Sequence, residues 1–100
     1  MPLYVTLFRH TGTGKRDIDT IPTEVFPLAR ELTEEMGGDL RNLYYGNIGE
    51  YDGVAVAEFP DGKSMERWRI AFEQENTHEI EHFEVFEAAE YFELIEVATD

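Results

Sequence analysis

Gly49-Glu50-Tyr51-Asp52-Gly53 runs straight into Val54-Ala55-Val56-Ala57-Glu58-Phe59, and Pro60-Asp61-Gly62 stops the run. A polar turn thus delivers the chain into an apolar stretch, which predicts a strand over about 51–59. Upstream, residues 39–48 read as a second strand. Leu43 and Tyr45 lie on one face of it, Asn42 and Tyr44 on the other. Strands this closely joined pair as an antiparallel hairpin. Gly49 permits the positive φ of a tight turn. Asp52 at a strand start accepts bonds from nearby backbone N–H groups, and Tyr51 offers an apolar body with a polar tip.

Working outward, residues 3–9 alternate, with Leu3, Val5 and Leu7 on one face and Tyr4, Thr6 and Phe8 on the other. This predicts a first strand that is apolar on both sides. Thr11-Gly12-Thr13-Gly14-Lys15 reads as a loop. Val25, Leu28, Ala29, Leu32 and Met36 share one helical stripe, with Pro27 near the first turn and Gly37-Gly38 at the end. Asp61 caps a second helix to about Glu75, whose stripe is Met65, Trp68, Ala71 and Phe72. Asn76-Thr77 breaks it, and a fourth strand follows over about 79–86. From Glu87 to Ala98, apolar residues oppose Glu87, Glu90, Glu93 and Glu96 at helical spacing. The order βαββαβ plus a closing helix is an α+β, ferredoxin-like arrangement with an antiparallel four-stranded sheet. One sheet face takes both helices. The other carries apolar residues and needs a lid, and a second copy pairing into a barrel supplies one. The expectation is a homodimer.

At 100 residues the chain reads as one domain spanning 1–100. Asp plus Glu is 22 against 8 for Lys plus Arg, a formal net charge of −14. Residues 1–50 hold 8 acids and 5 bases; residues 51–100 hold 14 acids and 3 bases. Such a field repels phosphate backbones and argues against nucleic-acid partners. No apolar run approaches a membrane span, and the N-terminus lacks a signal-peptide pattern, so the expected location is the cytoplasm. The absence of Cys removes disulfides and thiolate chemistry. Abundant acid with only Lys15 and Lys63 as lysines suits a salty cytoplasm, where the Debye length falls to ~3 Å at molar salt. Thermal melting is therefore expected to rise substantially between low and molar KCl. A melting temperature unchanged across that range rejects a halophilic origin.

Two motifs resemble known chemistry without its geometry. His78-Glu79-Ile80-Glu81-His82 is a literal H-E-x-x-H, which binds zinc when both histidines lie one helical turn apart. Here it continues as Phe83-Glu84-Val85-Phe86, an alternating strand, which separates the histidines by ~13 Å. No metal site is expected. Gly12-Thr13-Gly14-Lys15 lacks the P-loop spacing, since Arg9 and Arg16 stand where Gly and Ser or Thr belong. The patch of Arg9, Lys15 and Arg16 is at most an anion contact. Trp68 and Phe72 read as core, and no cofactor is called for. His10 and His82 are the available proton-transfer groups.

With the hairpin placed, the chain resembles the GYD domain family, related to the dimeric α/β-barrel superfamily. The matching residues are Tyr4-Val5-Thr6-Leu7, Gly37-Gly38, Gly49-Glu50-Tyr51-Asp52 and Pro60-Asp61, so the resemblance runs from about Met1 to Phe86. Residues 10–22 and the acidic tail depart from the family pattern. The resemblance implies a fold and a dimer rather than a reaction. Barrel relatives include cofactor-independent oxygenases, isomerases and haem proteins. If Leu3, Val5 and Leu7 face the helices, a pocket for a small organic ligand on the other face takes its lining from Thr6, Phe8, His10, Tyr44, Asp52, Val54, Glu58 and His82. A one-residue slip reverses every such assignment. Gly49, Tyr51 and Asp52 are expected to act mainly through turn structure. The competing readings are a small-molecule-binding homodimer, a small cofactor-independent enzyme of oxygenase or isomerase type, and a non-catalytic interaction or regulatory module.

Overall fold

Every strand boundary follows a change from alternating to turn chemistry in the chain. The computed structural model describes residues 1–100. β1 (Leu3–His10) leads to a short helical turn, α1 (Gly12–Arg16), then to a 3-10 turn and a π turn over 18–25, and to α2 (Phe26–Glu35). The hairpin of β2 (Asp39–Ile48) and β3 (Tyr51–Glu58) follows, then α3 (Gly62–Glu73), β4 (His78–Val85) and α4 (Ala88–Thr99). The sheet is antiparallel throughout in the order β2-β3-β1-β4, so β3 splits the first βαβ unit as the ferredoxin-like order requires. No helix is long and apolar enough to cross a membrane.

Local signals set the element ends. Gly49 takes φ +64 at the first position of the two-residue β2–β3 turn, where Ile48 pairs with Tyr51. The Asp61 carboxylate accepts the Ser64 N–H at 2.8 Å to cap α3, and that bond holds the Asp61 pKa below its ordinary value. Residues 11–16 differ from the expected loop. Thr11 Oγ1 accepts the Gly14 N–H at 3.0 Å and closes one helical turn, while the Thr11 N–H donates to the Thr77 carbonyl.

The core lies between the sheet and helices α2 and α3. Phe59 and Met65 are fully buried, with Tyr4, Phe8, Trp68, Phe72 and Ile80 around them. Trp68 and Phe72 stack at 5.0 Å, and the Trp68 indole N–H donates to the Ala29 carbonyl, locking α3 to α2. The α2 stripe of Ala29, Leu32 and Met36 packs on this core as its spacing predicts.

The facing of β1 is the reverse of the one assumed. Tyr4, Thr6 and Phe8 point under the helices and are buried, whereas Leu3, Val5 and Leu7 lie on the opposite, open face. The reason is volume. Tyr4, Thr6 and Phe8 pair with Ala57, Ala55 and Gly53, so small β3 residues leave room for β1 rings and for Trp68. The other register face sets Val5 against Val56 and Leu7 against Val54, a flat aliphatic layer. Tyr44 and Phe83 extend that layer and are about half exposed.

Candidate functional site

The eight residues expected to line one pocket separate onto two faces. Tyr44, Val54 and Glu58 lie on the open face, where Glu58 meets Arg41 at 3.5 Å. Thr6, Phe8, His10 and His82 turn to the helix side with β1 and its cross-strand partners. Asp52 joins them beyond Gly53, where the pairing of β3 with β1 ends. There Tyr51 faces the open side and Asp52 faces His10. The Tyr51 hydroxyl donates to Glu81 at 2.7 Å, and the Arg9 guanidinium sits 5.1 Å from its ring centroid. The bond to Glu81 raises the Tyr51 pKa.

On the helix side, β1 and β4 place His10 directly opposite His78. Their rings meet edge to face at 4.9 Å. Asp52 Oδ2 accepts the His10 backbone N–H at 2.8 Å and lies 3.7 Å from His10 Nδ1. His78 Nδ1 stands 3.0 Å from Thr77 Oγ1. Both remaining nitrogens, His10 Nε2 and His78 Nε2, are buried without a partner. Such orphaned polar atoms are uncommon in folded proteins. His78 is packed against Phe8 and Phe72 and is only 2% exposed. Burial, and then the neighbouring His10, lower its pKa to about 4, so its imidazole is uncharged at neutral pH.

These histidines border two neighbouring spaces, His78 the inner and His10 the outer. A narrow inner chamber of about 40 Å³ is lined by Thr6, Phe8, Trp68, Phe72, His78 and Ile80 among others. An outer cleft of about 680 Å³ opens beside His10, Asp52, Ile21 and Pro22. Phe26, Leu43 and Tyr45 belong to the walls of both. Tyr45 stacks over His10 and meets Phe8 edge-on at 5.1 Å, so its ring lies in the wall the two spaces share. Its burial raises the phenol pKa. Sequence reasoning missed Tyr45 and His78 as site residues. The available signal was the alternation Gly53-x-Ala55-x-Ala57, whose small residues hollow out the sheet opposite Tyr4-x-Thr6-x-Phe8.

His82 takes no part in this chamber. Its Nε2 lies 2.8 Å from Glu66 Oε2, and Arg69 pairs with both Glu66 and Glu73. Hydrogen bonds from Arg69 and then His82 lower the Glu66 pKa to about 2, so this network pins α3 to β4. The H-E-x-x-H segment is strand, with His78 in the core and His82 in that network.

Solved structures of the same shape share little sequence. A cofactor-independent oxygenase from Streptomyces nogalater, SnoaB, is 17% identical with a TM-score of 0.53, covering 87% of this chain and 92% of that one. An ACT domain protein from Streptococcus pneumoniae is 15% identical at TM-score 0.51, covering 84% and 89%. The C-terminal domain of the MgtC protein from Mycobacterium tuberculosis is 13% identical at TM-score 0.54, covering 84% and 86%. At these identities the likeness is one of fold alone. No curated protein matches the chain. The GYD domain family model matches residues 4–95, running past Phe86 into α4. The chain therefore belongs to the GYD domain family.

Proposed function

We propose that the protein is a small-molecule-binding homodimer whose ligand site lies within each chain, between sheet and helices. The observation that carries this reading is the facing pair of imidazoles with unpartnered Nε2 atoms, His78 in the wall of the apolar inner chamber and His10 in the wall of the outer cleft. The ligand is uncharged and mostly apolar, with one hydroxyl or carbonyl for the imidazoles to bind. A charge of −14 disfavours anions, and the apolar walls favour a flat ring, for which the outer cleft of about 680 Å³ has room while the inner chamber of about 40 Å³ takes only its leading edge. Entry requires Tyr45 to swing from the shared wall. The acidic composition fits work in a salt-rich cytoplasm.

Trp68 is the only tryptophan and lines the chamber, so its emission reports occupancy. Titration with a naphthoquinone hydroxylated on its benzenoid ring beside a carbonyl, a planar quencher that is neutral at pH 7, is expected to quench Trp68 saturably. His78→Phe is expected to weaken binding about 10-fold or more, the loss of one buried hydrogen bond. Quenching that never saturates, or that His78→Phe leaves unchanged, removes the site.

A second reading, a cofactor-independent enzyme, is favoured by the Asp52–His10 arrangement. The Asp52 carboxylate, 3.7 Å from His10 Nδ1, is within a short movement of hydrogen-bonding it, and such a bond would leave the lone pair on Nε2 as in a positioned general base. Its distinguishing test is solvent-deuterium exchange into a bound ligand, present in the wild type and lost in His10→Ala.

A further inference from the structure

We infer that α4 is an exchanged arm, lying across the open sheet face of a second copy of this chain while the partner's α4 lies across this one. The inference rests on the homodimer proposed above and names the element that closes it, a helix in place of the sheet-on-sheet barrel expected from the sequence. Only Phe86 and Glu87 separate β4 from α4, yet every residue of α4 is exposed. Phe92 is 60% exposed and Val97 79%. The helix projects from the body of the fold. The molecule measures 53 × 30 × 18 Å with a radius of gyration of 15.0 Å, against about 13 Å for a compact chain of this length. A helix of 12 residues is marginal alone in water and takes its stability from packing.

The open sheet face matches it in chemistry and size. Val5, Leu7, Val54, Val56, Phe83 and Tyr44 form an apolar layer that α2 and α3 leave uncovered. Four strands span about 15 Å between outer axes, and 12 helical residues span about 18 Å, so α4 crosses the whole sheet. The half-exposed aromatic and aliphatic side chains of helix and sheet together offer on the order of 800 Å² per chain, which is one side of a standard stable interface. Each chain carries both the helix and the surface it fits, so a two-fold pair satisfies both at once. A lipid surface is a poor occupant. Glu87, Glu90, Glu93 and Glu96 line the helix and no Lys or Arg accompanies them, so anionic headgroups repel it.

Sedimentation equilibrium of two single variants and their mixture tests the exchange. The wild type is expected to be dimeric, with association tightening as salt screens the charge of −14 on each chain. Ile95→Glu on the helix and Phe83→Lys on the sheet each place two unmatched charges in a symmetric pair and are expected to weaken dimerisation on the order of 100-fold. Both positions are about half exposed in the single chain, and circular dichroism checks that each variant folds. Mixed together, the variants are expected to form a heterodimer tighter than either homodimer. One arm and sheet remain native in it, and the other pair sets Glu against Lys. A dimeric wild type whose association Ile95→Glu leaves intact, or variants that fail to complement, removes the exchanged arm and keeps the homodimer. Single chains for the wild type at molar salt remove both.

Discussion

Between pH 6.5 and pH 4, His78 alone is expected to withdraw about 3 kcal/mol of folding stability, the free energy of a depression from 6.5 to about 4. The sign follows from which state takes the proton first. In the unfolded chain the imidazole protonates near pH 6.5. In the folded chain it is 2% exposed, against Phe8, Phe72 and His10, and resists protonation to about pH 4. The unfolded state therefore binds more protons across this window. Stability is intact above it and falls as the pH drops through it. His78→Phe fills the site with a ring that cannot titrate, so urea unfolding of the variant is expected to lose the slope between pH 6.5 and 4. Protonation of surface carboxylates is common to both proteins and cancels in the difference. A wild-type-minus-variant difference that stays flat over the window shows that His78 is not the titrating group. Glu66 acts in the same direction at lower pH, its stabilisation present above 4.5 and lost toward about 2. Its side chain is 42% exposed, so solvent screening keeps that contribution small.

Gly53→Ala is expected to cost about 3 kcal/mol, at the upper end of the usual range for overpacking a core. A Cβ at Gly53 lands 2.3 Å from the Phe8 ring and 2.8 Å from the Tyr44 carbonyl oxygen. The ring is buried beneath the helices and the carbonyl belongs to the β2–β3 hairpin, so neither yields cheaply. At about 4–8 °C per kcal/mol for a domain of this size, the melting temperature falls by roughly 15 °C. Phe8 also lines the inner chamber, so its displacement is expected to abolish Trp68 quenching by the naphthoquinone even where the variant still folds. Melting within a few degrees of the wild type shows that the ring moves aside freely, and the chamber is then not held open by its packing.

Much of the architecture was legible along the chain because its signals are local. The Gly49 turn, the Asp61 cap, the α2 stripe and the strand character of 78–85 each follow from a few neighbouring residues. The helical turn at 12–16 escaped notice because it is closed by Thr11 and tied to Thr77, a contact between distant segments.

The candidate site was half legible. Thr6 and Phe8 line the inner chamber and His10 and Asp52 the outer cleft, while Tyr44, Val54 and Glu58 occupy the far side of the sheet. Alternation along β1 announces two different faces without saying which one meets the helices, since Leu3-x-Val5-x-Leu7 and Tyr4-x-Thr6-x-Phe8 are both apolar. That choice is made across strands, where Gly53, Ala55 and Ala57 leave space under the larger rings. The approach of His10 to His78, the reach of Asp52 to His10 beyond the end of the β1–β3 pairing and the placement of Tyr45 over His10 likewise arise from pairing residues dozens of positions apart. Period and capping act within a turn or a strand, whereas volume matching acts between segments the chain brings together only on folding.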